Sequence, residues 1–461
     1  MKTPSLLTLT VLCNLFATLN FVTAQGLTFT TNTYSVGGGP QIAVADINGD
    51  GRLDLITANH NTNTLTFLTN NGSGGFGFYA TLTVGPNPGY IIAADLSGTG
   101  KLDLITANNG ANTLTVLTNN GSSGFGSNAT ITVGNSPQSI VAADVNGDGK
   151  LDLICANLTN PGTLTVLTNN GNGVFGFNTT LTVGKNPVNF ATADVNGDGK
   201  IDLITANSGA NTLTVLTNNG NGVFGSNATL NVGKTPNWII AADVNGDGKP
   251  DLICANVGTN TLTVLTNNGS GVFGLSATLI VGGFPFSVVA ADLNGDGKLD
   301  LISGNGGNWP TGTGKTLTVL TNSGSGVLSS NVTLNVGSAP YWIATADLNA
   351  DGKPDLIAAN FNDNTVTVLM NASIFPPPTK FPVPTMKQEG RNIRVSWPSV
   401  SPGWSLQETP DLTRTNWLPS GYDGYPVVYV GGTVPITDDG TNKSFTFPVA
   451  KGNLFFRLMH P

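Results

Sequence analysis

One nine-residue phrase recurs seven times in this chain, and this repetition limits the possible folds more than any other feature. The phrase is Asp-x-Asn-Gly-Asp-Gly-Lys-x-Asp, with some variation, and its copies begin at Asp46, Asp95, Asp144, Asp194, Asp243, Asp292 and Asp347. The copies are spaced by 49, 49, 50, 49, 49 and 55 residues. Periods of this length are typical of solenoids and propellers, in which one supersecondary unit is repeated.

Each repeat contains four strand-like runs and no helical pattern. In the third repeat these runs are residues 139–143, 151–156, 163–168 and 179–183, which are rich in apolar and β-branched residues and separated by turn residues. Four antiparallel strands repeated seven times predict an all-β fold, a seven-bladed β-propeller with four-stranded blades. The alternative, a parallel β-helix, needs shorter coils.

The two ends of the repeat array predict how the ring closes. After the seventh phrase the chain provides only two more strands, and the Phe-Gly segment that ends the other repeats is missing before Pro376. A similar segment, with Phe29 and residues 34–37, precedes the first phrase. We therefore expect the amino-terminal strand to complete the last blade, which removes an exposed sheet edge.

The composition outside the repeats predicts four segments. Residues 1–24 have a basic start, an apolar middle and small residues at the end, as in a secretory signal peptide, although an N-terminal membrane anchor is an alternative. Residues 25–374 form the predicted propeller, and residues 375–384 form a Pro-rich linker. Residues 385–461 are expected to form a small C-terminal β-sandwich module. The chain is therefore predicted to be secreted and extracellular or attached to the cell surface.

Charge and histidine content exclude several classes of function. The chain of 461 residues contains two histidines and carries a formal net charge of −8. Histidine-based catalytic triads and multi-histidine metal sites are therefore not expected. The negative charge argues against nucleic acid or an anionic membrane surface as a partner. No later segment is long or apolar enough to insert into a membrane, and we expect a monomer.

The repeated phrase has the donor pattern of a calcium loop. Positions 1, 3, 5 and 9 carry side-chain oxygens, and position 7 offers a backbone carbonyl, an arrangement that can wrap a hard cation. Glycine at position 6 permits the sharp turn. The predicted ligands, in which Arg and Lys contribute only their carbonyls, are Asp46, Asn48, Asp50, Arg52 and Asp54; Asp144, Asn146, Asp148, Lys150 and Asp152; Asp194, Asn196, Asp198, Lys200 and Asp202; Asp243, Asn245, Asp247, Lys249 and Asp251; Asp292, Asn294, Asp296, Lys298 and Asp300; and Asp347, Asn349, Asp351, Lys353 and Asp355.

The distribution of acidic residues supports this interpretation. Of the 27 acidic residues in the chain, 20 occupy positions 1, 5 and 9 of the phrase. Carboxylates crowded in this way repel one another unless a cation neutralises them. The second repeat has Ser97 and Thr99 at positions 3 and 5, so its loop at Asp95 should bind Ca²⁺ weakly or not at all. About six structural Ca²⁺ sites are therefore predicted.

The seven repeats, together with the Phe-Gly pairs at 76–77, 125–126, 175–176, 224–225 and 273–274, resemble the FG-GAP/VCBS repeat family, and in particular its secreted bacterial type. That family includes the integrin α-subunit propeller and calcium-bearing propeller lectins. The resemblance covers residues 27–374, although the sixth repeat has Val327-Leu328 in place of Phe-Gly. It implies structural Ca²⁺ in the hairpin between the first two strands of each blade, on the face opposite the main ligand surface.

Two loops of the repeat vary in sequence and are expected on the face opposite the Asp loops. They carry aromatic residues that suit sugar stacking or peptide docking, and the alternative is that these rings plug the central channel. His60 is expected to be an ordinary loop residue. The candidate ligand-face residues are Tyr90, Trp238, Phe286, Trp309, Tyr341 and Trp342.

The sequence thus predicts a secreted, calcium-binding propeller that acts without enzymatic activity in binding or adhesion to an extracellular glycan or protein. One alternative is a structural surface scaffold without a specific ligand. A second alternative is a polysaccharide-active enzyme. An enzyme needs paired carboxylates or a Lys, Arg and Tyr cluster in the variable loops, where Asp363 stands alone.

Overall fold

A computed structural model describes residues 27–373, except 122–123, 172, 308–310 and 325 and the side chains of 127–128 and 330–331. Between 385 and 459 it describes the backbone of nine further strands. The predicted signal peptide, the Pro-rich linker and Trp309 lie outside the described residues. Every regular element in the described residues is a β-strand, and these residues contain no helix with the length and hydropathy needed to cross a membrane.

The amino-terminal strand β1 (Phe29–Ser35) precedes six blades, each a four-stranded sheet with its strands in chain order. Blades one to three contain β2 (Pro40–Ala45), β3 (Asp54–Asn59), β4 (Thr64–Asn70) and β5 (Phe76–Thr83); β6 (Pro88–Ala94), β7 (Asp103–Asn108), β8 (Thr113–Asn119) and β9 (Phe125–Thr132); and β10 (Pro137–Ala143), β11 (Asp152–Asn157), β12 (Gly162–Asn169) and β13 (Phe175–Val183).

Blades four to six repeat this plan. They contain β14 (Pro187–Ala193), β15 (Asp202–Asn207), β16 (Thr212–Asn218) and β17 (Phe224–Asn231); β18 (Pro236–Ala242), β19 (Asp251–Asn256), β20 (Thr261–Asn267) and β21 (Phe273–Ile280); and β22 (Pro285–Ala291), β23 (Asp300–Asn305), β24 (Thr316–Asn322) and β25 (Leu328–Asn335).

The seventh blade joins the two ends of the propeller. Its strands β26 (Pro340–Ala346), β27 (Asp355–Asn360) and β28 (Thr365–Asn371) are followed in the sheet by β1. Strand β1 pairs antiparallel with β28, with Phe29 opposite Asn371 and Ser35 opposite Thr365. The predicted seven-bladed propeller, including closure by the amino-terminal strand, is confirmed.

The hydrophobic core consists of layers between neighbouring blades. All six residues of the second strand are buried in every blade, as in β3 and β7, because both faces of each sheet are covered. The layer between blades one and two contains Leu65, Leu104 and Leu117, and the rings of Phe67 and Phe125 stack at 5.4 Å. The phenylalanine of each Phe-Gly pair packs, partly buried, against one of these layers.

The two ends of the strands form two different faces. The antiparallel strand order places the loop between the first and second strands beside the hairpin between the third and fourth strands. We call this the Asp-loop face. The loops between the second and third strands, and those between blades, lie at the other end, where His60 N–H donates to the Gly39 carbonyl at 3.1 Å. We call this the mouth face.

The carboxy-terminal segment also consists of strands, at β29 (Thr385–Glu389), β30 (Asn392–Pro398), β31 (Ser405–Thr409), β32 (Leu418–Pro419), β33 (Val427–Tyr429), β34 (Gly432–Val434), β35 (Thr437–Asp438), β36 (Asn442–Pro448) and β37 (Phe455–Met459). Their orders are β29-β30-β36-β35, β32-β31-β37 and β33-β34. How these sheets pack lies outside the described residues, so the β-sandwich stays a prediction.

Candidate functional site

The Asp loops are shaped by hydrogen bonds from their own backbone to their side-chain oxygens. In the first loop, Asp46 Oδ1 accepts from Gly49 N–H at 2.7 Å, and its Oδ2 accepts from Gly51 N–H at 2.8 Å. Asn48 Oδ1 accepts from Asp50 N–H at 2.9 Å. The same pattern recurs in the third to sixth loops. The phrase therefore encodes one turn geometry.

Position 4 of the loop lies in the left-handed region of backbone conformation. Gly49 has φ of 77° there, and glycine has no Cβ to oppose it. In the seventh loop the same position is Ala350, with φ of 59°. A left-handed alanine costs roughly 1 kcal/mol, so the seventh loop adopts the common turn against a local preference.

The aspartate at position 9 is buried beneath the loop. Asp54 Oδ2 accepts from Ile47 N–H at 3.3 Å and its Oδ1 accepts from Asn70 N–H at 2.9 Å. Burial raises the pKa of this carboxyl, the two N–H donors partly oppose that rise, and the charges of Asp50 and Asp46 raise the pKa further. The same causes raise the pKa values of Asp300 and Asp355 to about 6. A nearby cation would favour the ionised form.

The donor set of these loops is suited in chemistry to a hard cation, since it is composed of carboxylate, amide and carbonyl oxygens. Lysines at position 7 lie 3.6–3.9 Å from the position-5 carboxylates in four loops, at Lys150–Asp148, Lys200–Asp198, Lys249–Asp247 and Lys353–Asp351. Such exposed pairs contribute little. In the described parts of the chain, no three His, Cys, Asp or Glu side chains are assembled as a metal-binding group.

The second loop keeps the turn but lacks one of the three carboxylates, because Thr99 stands at position 5. Asp95 Oδ2 accepts from Gly100 N–H at 2.7 Å, as in the other loops. At positions 3 and 5, the hydroxyls of Ser97 and Thr99 hydrogen-bond to each other at 3.2 Å. This loop therefore holds its shape without the third carboxylate.

A second feature of the Asp-loop face is a set of seven asparagines, which we call the latch asparagines. Each ends the third strand of a blade, and its side-chain N–H donates to the position-2 carbonyl in the Asp loop of the preceding blade. Asn218 reaches the Val145 carbonyl at 2.8 Å, and Asn70 closes the ring by reaching Leu348 at 2.7 Å. The other latches are Asn119 to Ile47, Asn169 to Leu96, Asn267 to Val195, Asn322 to Val244 and Asn371 to Leu293.

Sequence reasoning missed the latch asparagines because it interpreted Asn-Asn-Gly only as a turn. The available signal was that asparagine ends the third strand in all seven repeats. The same residues also donate their backbone N–H to the buried position-9 aspartate of their own blade, as Asn218 N–H does to Asp202 Oδ1 at 2.8 Å. Each Asp loop is thus connected both to its own third strand and to the next blade.

The mouth face contains a cavity of about 490 Å³ at the centre of the ring, a volume within the range of ligand pockets. One part of its wall, from blades five to seven, is aromatic, and another part, from blades two to five, carries amides and hydroxyls. The described lining includes no Asp, Glu, Lys or Arg. It comprises His60, Gly89, Tyr90, Asn109, Gln138, Leu158, Asn186, Val188, Ser208, Asn237, Trp238, Phe284, Phe286, Tyr341, Trp342 and Phe361.

Five of the six predicted ligand-face residues meet at this cavity, and the sixth, Trp309, lies outside the described residues. Phe286 and Tyr341 stack with ring centroids 4.5 Å apart, and Trp342 meets Phe286 edge-on at 5.3 Å. Tyr341 is buried, whereas the other four are half-buried. The sequence did not single out Phe284 or the amide residues.

Tyr90 and Trp238 come from blades two and five, yet their rings stack at 6.0 Å. They therefore meet across the channel. Burial raises the pKa of Tyr90 to about 12, and a hydrogen bond from Asn189 partly opposes that rise. Asn189 Oδ1 also accepts from Ile239 N–H at 3.1 Å. These contacts join blades two, four and five at the level of the inner strands.

Comparison with known families identifies the class of the repeat. The FG-GAP-like repeat matches residues 46–106, 95–155, 144–205, 194–254 and 243–303, and the FG-GAP repeat matches residues 339–369. The matches cover more than half of the chain, so the protein belongs to the FG-GAP repeat family. No curated protein sequence matches this chain.

Solved structures share the overall fold at low sequence identity. A structure of BBS1N in complex with ARL6DN, soaked with lead, has a TM-score of 0.56 and 11% identity, and a mercury-soaked form has 0.55 and 13%; each match covers 77% of this chain and 98% of the other. A putative 6-phosphogluconolactonase from Bacteroides fragilis NCTC 9343 has a TM-score of 0.49 and 15% identity over 77% of this chain and 97% of the other. The FG-GAP propeller fold supports a general role for this chain as a binding or scaffold module.

Proposed function

We propose that the protein is a secreted, calcium-stabilised propeller that binds an extracellular glycan at its mouth face without chemical turnover. The single observation that carries this proposal is the uncharged cavity lined by aromatic rings and amides. Aromatic faces stack on the apolar faces of sugar rings, and amides hydrogen-bond to hydroxyls. Adhesion to a protein is the second use of the same surface.

The proposed role of calcium is structural. Three carboxylates lie within nine residues in six of the loops, and the buried one has a raised pKa partly because of the charge of the other two. The ligand sets given above would hold the ion through their oxygens. Bound calcium would supply charge neutralisation at the loops, which the latch asparagines connect to the neighbouring blades.

Binding is favoured over catalysis by the chemistry of the lining. Glycoside hydrolysis uses a pair of carboxyl groups on either side of the bond that is cut. The described lining residues offer none, and Asp363, elsewhere on the mouth face, accepts a hydrogen bond from Ser338 N–H at 2.7 Å. Secretion rests on the predicted signal peptide at residues 1–24.

The proposal is tested by screening the calcium-loaded chain, without residues 1–24, on a broad glycan array. We expect the chain to bind a limited group of glycans and the Trp342→Ala variant to lose this binding. Phe177→Ala is the control and should bind as the parent chain does, because Phe177 is 68% exposed on an outer strand. Release of sugar fragments during incubation would instead indicate an enzyme. Silence on the array would favour the scaffold alternative.

A further inference from the structure

We infer that the mouth cavity is a blind pocket that receives the uncharged end of a saccharide chain, with the terminal sugar between the aromatic and amide parts of the wall. This inference rests on the proposed function, because it specifies which part of a glycan is bound. It follows from the floor of the cavity, its charge and its asymmetry.

Side chains on the first strand of each blade, which lines the channel, form the floor of the cavity. Tyr90 and Trp238 stack there, from blades three positions apart in the ring. The residues at the corresponding position in other blades are buried, at 3% exposure for Gln41, 1% for Ser139 and 0% for Ser287. A glycan therefore cannot thread through the ring, and only a chain end or a projecting branch end can enter.

The described lining of the cavity carries no fixed charge. It contains no acidic or basic side chain apart from His60, and burial lowers the pKa of that imidazole, which keeps it neutral near pH 7. Burying an unpaired anion or cation in such a site is strongly unfavourable. Uronic acid, sialic acid and sulfated ends are thus disfavoured, as are the charged termini of a peptide.

The wall has two chemically different sides, which orient a ring between them. Phe286, Tyr341, Trp342 and Phe361 contact one another on one side, with centroid distances of 4.5–6.0 Å. Amide groups such as that of Gln138 lie in the blades across the channel. A pyranose has apolar C–H faces and a hydroxyl rim, so one ring can satisfy both sides at once.

Phe284 extends the aromatic side of the wall. Its ring stacks with Phe286 at 6.3 Å and lines the cavity. Its φ of 57° lies in the left-handed region, and so do those of the residues in the same slot of the other six blades, which are Gly39, Asn87, Ser136, Asn186, Thr235 and Ala339. The backbone turn therefore belongs to the repeat, and the side chain is what distinguishes the sixth blade.

The size of the cavity limits how much of the chain is held. A volume of about 490 Å³ corresponds to about 16 water molecules. This is room for roughly one or two sugar rings, so affinity should stop rising with chain length beyond about two residues.

The test compares matched glycans on the calcium-loaded chain by titration calorimetry. The glycans are the neutral hits from the array, the same glycans capped with sialic or uronic acid, and linear maltohexaose beside cyclic α-cyclodextrin, which has the same linkage but no end. We expect capped ends to bind at least tenfold more weakly than uncapped ones. Wherever the linear form binds, we expect the cyclic form not to bind.

Two substitutions locate the effect. Trp342→Ala should weaken binding of the neutral hits at least tenfold, with Phe177→Ala as the matched control. Gln138→Lys places a cation in the amide part of the wall without removing any aromatic ring. It should reduce the difference in affinity between acid-capped and neutral glycans about tenfold. Thermal melting with Ca²⁺ confirms that each variant is folded.

The outcomes separate this inference from the proposed function. Equal binding of capped and uncapped ends, or of cyclic and linear glucans, overturns the blind, uncharged pocket while leaving glycan binding in place. Glycan binding that survives Trp342→Ala in a folded variant places the ligand elsewhere and also overturns the pocket. Failure of every glycan on the array to bind overturns both.

Discussion

The two faces of the propeller differ in how much they vary from blade to blade. On the Asp-loop face, seven loops use nearly one sequence, and seven latch asparagines make the same contact to the preceding blade. On the mouth face, equivalent positions hold residues as different as Ser139 and Trp238. Uniform contacts are what closing a ring of similar blades requires, whereas recognition of an asymmetric ligand requires differences. This difference supports the proposal that the Asp-loop face stabilises the ring and the mouth face recognises a ligand.

The strongest test of this comparison is removal of the calcium that we propose for the Asp-loop face. At Kd of about 10⁻⁴–10⁻³ M and millimolar Ca²⁺, each proposed site would add roughly 0.5–1.5 kcal/mol. EDTA should therefore lower the free energy of unfolding by roughly 3–9 kcal/mol for about six sites. Chemical denaturation with Ca²⁺, Mg²⁺ and EDTA measures this change. Superimposable curves in Ca²⁺ and EDTA would falsify the structural role of calcium.

The second test removes one latch. Asn218→Leu deletes the bond to the Val145 carbonyl, which keeps its second bond from Gly222 N–H at 2.9 Å, and leaves Gly220 N–H without its partner. We expect a loss of roughly 1–3 kcal/mol in the free energy of unfolding, because an unmet buried group costs about 1–3 kcal/mol. Asn221→Ala, on an exposed residue of the same hairpin, is the control. A loss no larger than that of the control would show that the latches do not hold the blades.

A third test separates the faces directly. Trp342→Ala on the mouth face should weaken glycan binding at least tenfold, or about 1.4 kcal/mol, while the shift in melting temperature caused by EDTA stays as in the parent chain. The reason is that Trp342 lines the cavity and lies at the opposite end of the strands from the Asp loops. Calorimetry and thermal melting of the same samples measure both. A variant that loses its response to EDTA would show that the two faces are coupled.

The fourth test restores the defective loop. Ser97→Asn combined with Thr99→Asp gives the second repeat the oxygen pattern of its neighbours, with one more carboxylate. In millimolar Ca²⁺ the double variant should gain roughly 0.5–1.5 kcal/mol, and in EDTA it should gain nothing, because the added charge then repels Asp95. Unfolding in the two conditions is compared. A gain of equal size in both would mean that the change acts without calcium.

The smallest expected effect concerns the backbone of the seventh loop. Ala350→Gly relieves a left-handed alanine and should stabilise the chain by about 0.5–1 kcal/mol, after subtraction of the extra freedom of glycine in the unfolded state. Gly246→Ala, at the same position of the fifth loop and with open space around the added Cβ, should destabilise by a similar amount. Denaturation midpoints measure both. Changes of the same sign in the two variants would contradict the argument.

Much of the fold could be predicted because the same local sequence pattern occurs seven times in the chain. The phrase repeated seven times, the four strand-like runs in each repeat and the missing outer strand before Pro376 led to the correct blade count and ring closure. The sequence also located Tyr90, Trp238, Phe286, Tyr341 and Trp342 at the cavity. It did not show that Phe284 belongs with them, because the same slot before proline holds small or polar residues in the other blades, at Gly39, Asn87, Ser136, Asn186, Thr235 and Ala339.

The sequence by itself determined the number of blades, the residues of each Asp loop and the closure by the first strand. These features depend on the pattern within one repeat and on the strand that is missing from the end of the repeat array. Only the tertiary structure decided which blades touch across the channel and which carbonyl each latch asparagine reaches. The stack of Tyr90 on Trp238 and the bond from Asn70 to Leu348 both join distant parts of the chain. Such contacts depend on the radius and closure of the ring, and no local pattern of residues contains that information.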